Sequence, residues 1–230
     1  MERLAEAMGS TGALLARGGP VAWLLAALSI VAATVALAKL WQFAVVRPAD
    51  PAPRRAALLW RSGRRAEAEA ALAGARSPAA EGLACAVAAM RAGVAPETAR
   101  AEAARVAEAA LDDLRDWLRP LEVIAALAPL LGLFGTVLGM IDAFAAMEAA
   151  GAQVDPATLS GGVWTALLTT AIGLGVAMPT VAALSWCERQ VERAERAVDD
   201  ALAAAFGPAL PAVEAAAAPG AAQSLRPRLG

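Results

Sequence analysis

The sequence predicts an all-α membrane protein with three spanning helices, the second and third extended into the cytoplasm as long helices. Three observations carry that reading: a mean hydropathy of +0.53, three long apolar blocks, and tryptophans at the block ends. A soluble domain of 230 residues needs a more polar surface than 59% apolar residues allows, so the bilayer enters as the solvent.

The blocks run over 21–46, 120–147 and 161–186. Each exceeds the roughly 20 residues that cross hydrocarbon at about 1.5 Å per residue. Trp23 and Trp41 bracket the first block, Trp117 precedes the second, and Trp164 and Trp186 bracket the third. At helical rise the bracketing pairs stand about 27 and 33 Å apart, near one hydrocarbon thickness, and indole rings favour that interface. The first block is too long for the apolar core of a signal peptide and reads as a retained anchor.

Loop charge sets the expected orientation. Residues 47–119 hold twelve Arg and the chain from Cys187 holds five, whereas 148–160 hold none. Lys and Arg concentrate on the cytoplasmic side, so the N-terminus is expected in the periplasm and the C-terminus in the cytoplasm. The division follows: a periplasmic amphipathic segment over 1–20, the first span, a cytoplasmic helical region over 47–119, the second span, a periplasmic loop over 148–160, the third span, a cytoplasmic helix over 187–206 and a disordered tail over 207–230. Within 47–119, Gly63, Gly74, Pro78, Gly93 and Pro96 mark breaks between two or three short helices and a longer one. That longer helix is expected to run into the second span, with a kink at Pro120.

Composition also excludes. With no His, no His-based triad, His-ligated zinc or His pH switch can form within the chain. Cys85 and Cys187 make no metal spacing, the net charge of −2 gives no reason to expect nucleic acid, and neither an enzyme site nor a cofactor is expected.

Inside the second block Gly132, Gly135 and Gly139 share one face, with Thr136 at its margin. Small faces let helices approach closely, and this face is expected to hold the oligomer together. In the third block Thr165, Thr169, Thr170, Gly173, Ala177 and Thr180 share an arc of roughly 140° that ends near Pro179. One Thr can simply bond its own backbone; four on one arc suggest a polar path or a subunit interface. Charge is confined to the margins at Lys39, Glu122 and Asp142, with Lys39 expected to snorkel to the surface. Any ion crossing here needs a deep carboxylate from a second polypeptide.

The runs PLLGLFGTVLGMIDAF and ALLTTAIGLGVAMPTVAAL resemble the signature spans of the MotA/TolQ/ExbB proton-channel family, and three spans match its ExbB/TolQ branch. The resemblance implies a homopentamer in the bacterial inner membrane. Its pore would enclose an ExbD- or TolR-like single-span partner carrying a membrane Asp, with a TonB- or TolA-like protein beyond. It implies that Thr136 and Thr170 face the partner Asp, whose ionised form their hydroxyls would stabilise, and it matches Pro179, taken with Gly173 of the arc as a helix-packing position; the arc adds Thr165 and Thr169 to the expected ion pathway, with Asp142 as a carboxylate near its outer end. Several members carry Glu where this chain has Thr165. The other reading is a non-conducting scaffold that organises a partner complex.

Overall fold

The computed structural model describes residues 18–150 and 156–207, with Gly12 and Ala16, so the amphipathic segment expected over 1–20 and the tail beyond 207 lie almost wholly outside the described residues. Among the described residues the helices follow in this order: α1 (Gly19–Val46), α2 (Ala52–Arg61), α3 (Arg65–Leu72), α4 (Pro78–Arg91), α5 (Pro96–Arg115), α6 (Leu118–Ala150) and α7 (Pro156–Phe206). Three stretches, within α1, the α5–α6 run and α7, are long and apolar enough to cross a membrane.

The short helices begin and end where the punctuation residues stand. Gly63, Gly74 and Gly93 take positive φ angles of 81°, 88° and 80° in the turns after α2, α3 and α4, a conformation that costs glycine nothing. Pro78 and Pro96 occupy first-turn positions, where the missing N–H is not needed. Ser77 caps α4 by accepting from the Ala80 amide at 3.3 Å.

Two apolar cores result. One lies within the spans and joins Val21, Leu25 and Ala32 of α1 to Leu121 and Ile124 of α6 and Val176 of α7. The other lies at the Arg-rich end, where Ala57, Leu83, Ala107 and Leu111 pack against Val191 and Val198 of α7. The small Ala-rich helices therefore bury their faces on the polar extension of α7, an unbroken helix of 51 residues and roughly 75 Å at 1.5 Å per residue.

The expected kink at Pro120 is corrected. Pro120 sits in the first turn of α6, a position that tolerates proline. The break falls just before it, with Asp116 extended at φ −52° and ψ 144° and Trp117 left-handed at φ 64°. A non-glycine residue in that region costs on the order of 1–3 kcal/mol and has to be held by its surroundings. Lys39 does the holding. It does not snorkel: its residue is 4% exposed, and its Nζ donates to the carbonyls of Leu114 at 3.1 Å and Asp113 at 3.5 Å and to Gln42 Oε1 at 2.8 Å. A cation on the last carbonyls of α5 satisfies orphan acceptors and opposes the negative end of the helix dipole. Arg115, one residue before the break, reaches Glu195 of α7 at 2.6 Å and also pairs with Glu108 and Asp112. Those carboxylates raise its affinity for the proton above the usual guanidinium range, but the group is 40% exposed, so the pair contributes only about 0.2–1 kcal/mol.

The tryptophans divide. Trp23, Trp41, Trp117 and Trp164 are exposed, as interface rings should be. Trp186 instead packs edge-on against Phe43, with ring centroids 5.6 Å apart, and closes the Arg-rich core.

The glycines of the second block turn inward. A Cβ at Gly135 would lie 2.6 Å from Thr169 Oγ1, one at Gly132 would lie 3.0 Å from the Thr169 carbonyl, and one at Gly139 would lie 3.1 Å from the Ala166 Cβ. From the other side, a Cβ at Gly173 would meet the Ala128 carbonyl at 2.6 Å and one at Gly162 the Ala143 Cβ at 2.5 Å. The face expected to join subunits is thus filled by the antiparallel partner helix of the same chain, because a short connection makes sequential helices neighbours.

Two changes test these contacts. Gly135→Leu should force α6 and α7 apart and lower stability in detergent by about 1–3 kcal/mol as overpacking, seen as a fall in melting temperature; Gly161→Ala, which meets nothing within 4 Å, should leave it unchanged. Lys39→Met should strip the cap from buried carbonyls at a cost of about 1–3 kcal/mol, with amide exchange accelerated first in the last turn of α5.

Candidate functional site

The residues singled out from sequence gather along the α6–α7 seam, at two depths and on two sides. Thr169 lies at its centre, 2% exposed, donating to the Ala166 carbonyl at 2.7 Å with the Gly132 carbonyl at 3.3 Å. Thr170 stands beside it, half-buried, and donates across the seam to the same Gly132 carbonyl at 3.2 Å. Thr136, one turn beyond Gly132, is also half-buried and donates to the Leu133 carbonyl at 2.6 Å. The helical register pairs the Gly132 carbonyl with the Thr136 amide, so one carbonyl links Thr136, Thr169 and Thr170.

At about 100° per residue, Thr136 lies roughly 100° round α6 from Gly135, and Thr170 about 100° round α7 from Thr169. Because the helices are antiparallel, both rotations carry the side chain to the same edge of the seam. The opposite edge carries Leu131, Leu138 and Ile172, which pack against the core shared with α1. Thr136 and Thr170 therefore form one rim, facing away from α1.

Thr165 is not part of that rim. It falls on the side of Ile172 and Val176, toward α1, and donates to the Gly161 carbonyl at 3.0 Å. Thr180 is buried and donates to the Val176 carbonyl at 2.7 Å. Asp142 is exposed and adjoins Ala143, which meets Gly162 at the loop end of the seam. Pro179 is exposed within α7, while Gly173 is buried in the seam.

Charge is sparse at this depth. Between Glu122 and Asp142 on α6, and between Pro156 and Glu188 on α7, the sequence holds no Asp, Glu, Lys or Arg, and its one thiol there, Cys187, is buried at the far end. The rim is thus a polar strip in an apolar wall whose neighbours Leu133, Leu167 and Leu174 are exposed.

Three participants escaped the sequence reading. Gly162 packs as tightly as the glycines of α6, and its place four residues before Ala166 continues the small-residue spacing. Pro129 lies inside α6, two residues before the Leu131–Gly132 turn that supplies the shared carbonyl. The Gly132 carbonyl itself has no side-chain signal; only the closeness of two helices reveals it.

Comparison with known proteins gives the same region. The sequence profile described as the MotA/TolQ/ExbB proton channel family matches residues 73–200. Biopolymer transport protein exbB1 of Vibrio cholerae is 38% identical over 86 residues, covering 36% of this chain and 38% of that protein. The Tol-Pal system protein TolQ of Haemophilus influenzae is 35% identical over 86 residues, 37% of each chain, and the biopolymer transport protein ExbB of Helicobacter pylori is 45% identical over 71 residues, 31% of this chain and 48% of that one. The matched stretch spans less than half the length of each of these relatives. The family profile covers more than half of the chain and includes α6 and α7 as far as residue 200, and among the described residues three helices are fit to cross a bilayer; the chain is a multi-pass membrane protein and belongs to the MotA/TolQ/ExbB proton channel family.

Proposed function

We propose that the chain is an ExbB/TolQ-type subunit of a bacterial inner-membrane complex driven by proton-motive force. Several copies, five by family resemblance, surround the spanning helices of an ExbD- or TolR-like partner whose membrane Asp carries the proton. The complex energises outer-membrane transport or envelope maintenance through a TonB- or TolA-like protein. The N-terminus faces the periplasm and the C-terminus the cytoplasm.

The observation that carries this reading is the rim: Thr136 and Thr170 stand on one edge of the seam, away from α1, tied to the Gly132 carbonyl. Support for an external acid comes from the lack of any carboxylate between Glu122 and Asp142 on α6 and between Pro156 and Glu188 on α7. A helix entering from outside with an Asp at that depth would meet hydroxyls there and aliphatic side chains elsewhere. The membrane field supplies about 2.3 kcal/mol per charge per 100 mV, enough to bias a step between two packed registers of partner and ring. Support for the orientation comes from Arg54, Arg61, Arg64, Arg65, Arg115 and Arg193, all at the same end of the helices.

The scaffold reading is favoured by one observation, that Thr136, Thr165 and Thr180 each donate to a carbonyl of their own helix, as packing threonines do. A substitution separates the two. Val in place of Thr keeps the shape and removes the hydroxyl. Each single change at Thr136 or Thr170 should reduce proton flux in proteoliposomes containing both proteins roughly tenfold, the worth of about 1.4 kcal/mol. The Thr136→Val, Thr170→Val double variant should lose energised transport while still co-purifying with the partner. Full activity of the double variant would transfer the reading to the scaffold.

A further inference from the structure

We infer that the Thr136–Thr170 rim accepts hydrogen bonds and donates none, so that it holds the partner's carboxylic acid in its neutral, protonated form. This rests on the reading above that an acid-bearing helix meets the rim, and it reverses the polarity expected from sequence, in which the hydroxyls stabilise the ionised acid.

A threonine hydroxyl has one proton to give and two lone pairs. At Thr136 that proton goes to the Leu133 carbonyl at 2.6 Å. At Thr170 it goes to the Gly132 carbonyl at 3.2 Å, and Thr169 turns its own inward to Ala166 at 2.7 Å. Carbonyl oxygens can only accept, so in each pair the direction of donation is settled by chemistry. The backbone amides at this depth are engaged in the helical ladder. What remains toward the rim's open edge is lone pairs.

No cation offsets that surface. The charged groups of the packed helices are Glu122 and Asp142 on α6, about 20 and 9 Å along the axis from Thr136. On α7 there is none between Pro156 and Glu188, and α1 contributes only Lys39. The Lys39 ammonium is spent on Leu114 and Gln42. An ionised carboxylate brought to the rim would find acceptors and alkyl groups, the costliest surroundings for an anion. A protonated carboxyl finds a lone pair to which its O–H can donate. The cycle this polarity dictates is that the carboxylate takes a proton from water on the entry side, docks as the neutral acid, and leaves the rim as the proton departs to the exit side.

The sequence reading treated the hydroxyls as free donors. In a helix the i−3 and i−4 carbonyls claim that proton first, and Gly132, with no side chain to hold the helices apart, lets Thr170 use a carbonyl of the neighbouring helix instead.

The test is the sign of a pH shift. Proton flux is measured against pH in proteoliposomes holding the complete complex, with wild type, Thr170→Val, Thr136→Val and Thr170→Ser compared. Removing an acceptor from the neutral acid should lower the pH of half-maximal flux by about one unit in either Val variant, and Thr170→Ser should restore the wild-type midpoint. An upward shift means the hydroxyl served the ionised form and overturns the inference; an unmoved midpoint overturns it as well. Should the Val complexes fail to assemble, infrared difference spectra of the wild-type complex decide: a protonated-carboxyl stretching band at neutral pH that is lost when the partner's membrane Asp is replaced by Asn is the expected result, and its absence overturns the inference. A purified complex with no acid-bearing single-span partner would instead remove the underlying functional reading, an outcome told apart from a wrong sign by the composition of the complex alone.

Discussion

At Gly132, Gly135, Gly139, Gly162 and Gly173 the two longest helices approach so closely that a single methyl group would strike the opposite helix within 3.1 Å. In lipid, where apolar side chains gain little by leaving the solvent, such backbone approach is a main source of helix association. It sets the depth at which Thr169 and Thr170 meet the Gly132 carbonyl, and it turns Thr136 and Thr170 to a common edge. The core shared with α1 forms on the other side of the pair, leaving that edge free. The rim is a by-product of close packing.

At the Arg-rich end the same rod serves a different purpose. The polar continuation of α7 offers Val191, Ala194, Val198 and Ala201 as one stripe, and the short helices, rich in Ala and individually too small to bury a core, are stable because they share it. Lys39 and Arg115 join this assembly to the spans from two sides of the same break, one by capping α5 and the other by reaching α7. Among the described residues a buried lysine and a left-handed tryptophan thus stand together at the break before the apolar helix α6.

Much of this was legible in the residues. Hydropathy and length locate the spans because the physics behind them is additive along the chain, and Gly63, Gly74, Gly93, Pro78 and Pro96 mark their turns because their constraints are local. What needed coordinates was direction. The glycine face could have joined subunits or helices, and a face has no address until its partner is placed. Pro120 drew the expected kink, yet a first-turn proline is harmless, and the break belongs to Trp117, whose type gives no hint of a left-handed backbone. Lys39 read as a surface group because nothing local shows that α5 ends beside it. For the threonines the types and spacing were informative but the ownership of each proton was not, since it depends on which carbonyl lies nearest. Thr165 shows the same limit: it shares an arc with Thr170 along the helix, but the seam runs between them.

The contrast between α7 and the α5–α6 run has a mechanical side. One is a single rod through both cores; the other is two rods meeting at Asp116 and Trp117. A helix whose hydrogen-bonded ladder misses only the Pro179 amide resists torsion along most of its length, whereas a two-residue junction bends at little elastic expense once its ties are loosened. Any torque felt in the membrane would therefore pass down α7 with little loss, and the compliance of the subunit would be concentrated at a swivel tied by the Lys39 ammonium and the Arg115 guanidinium.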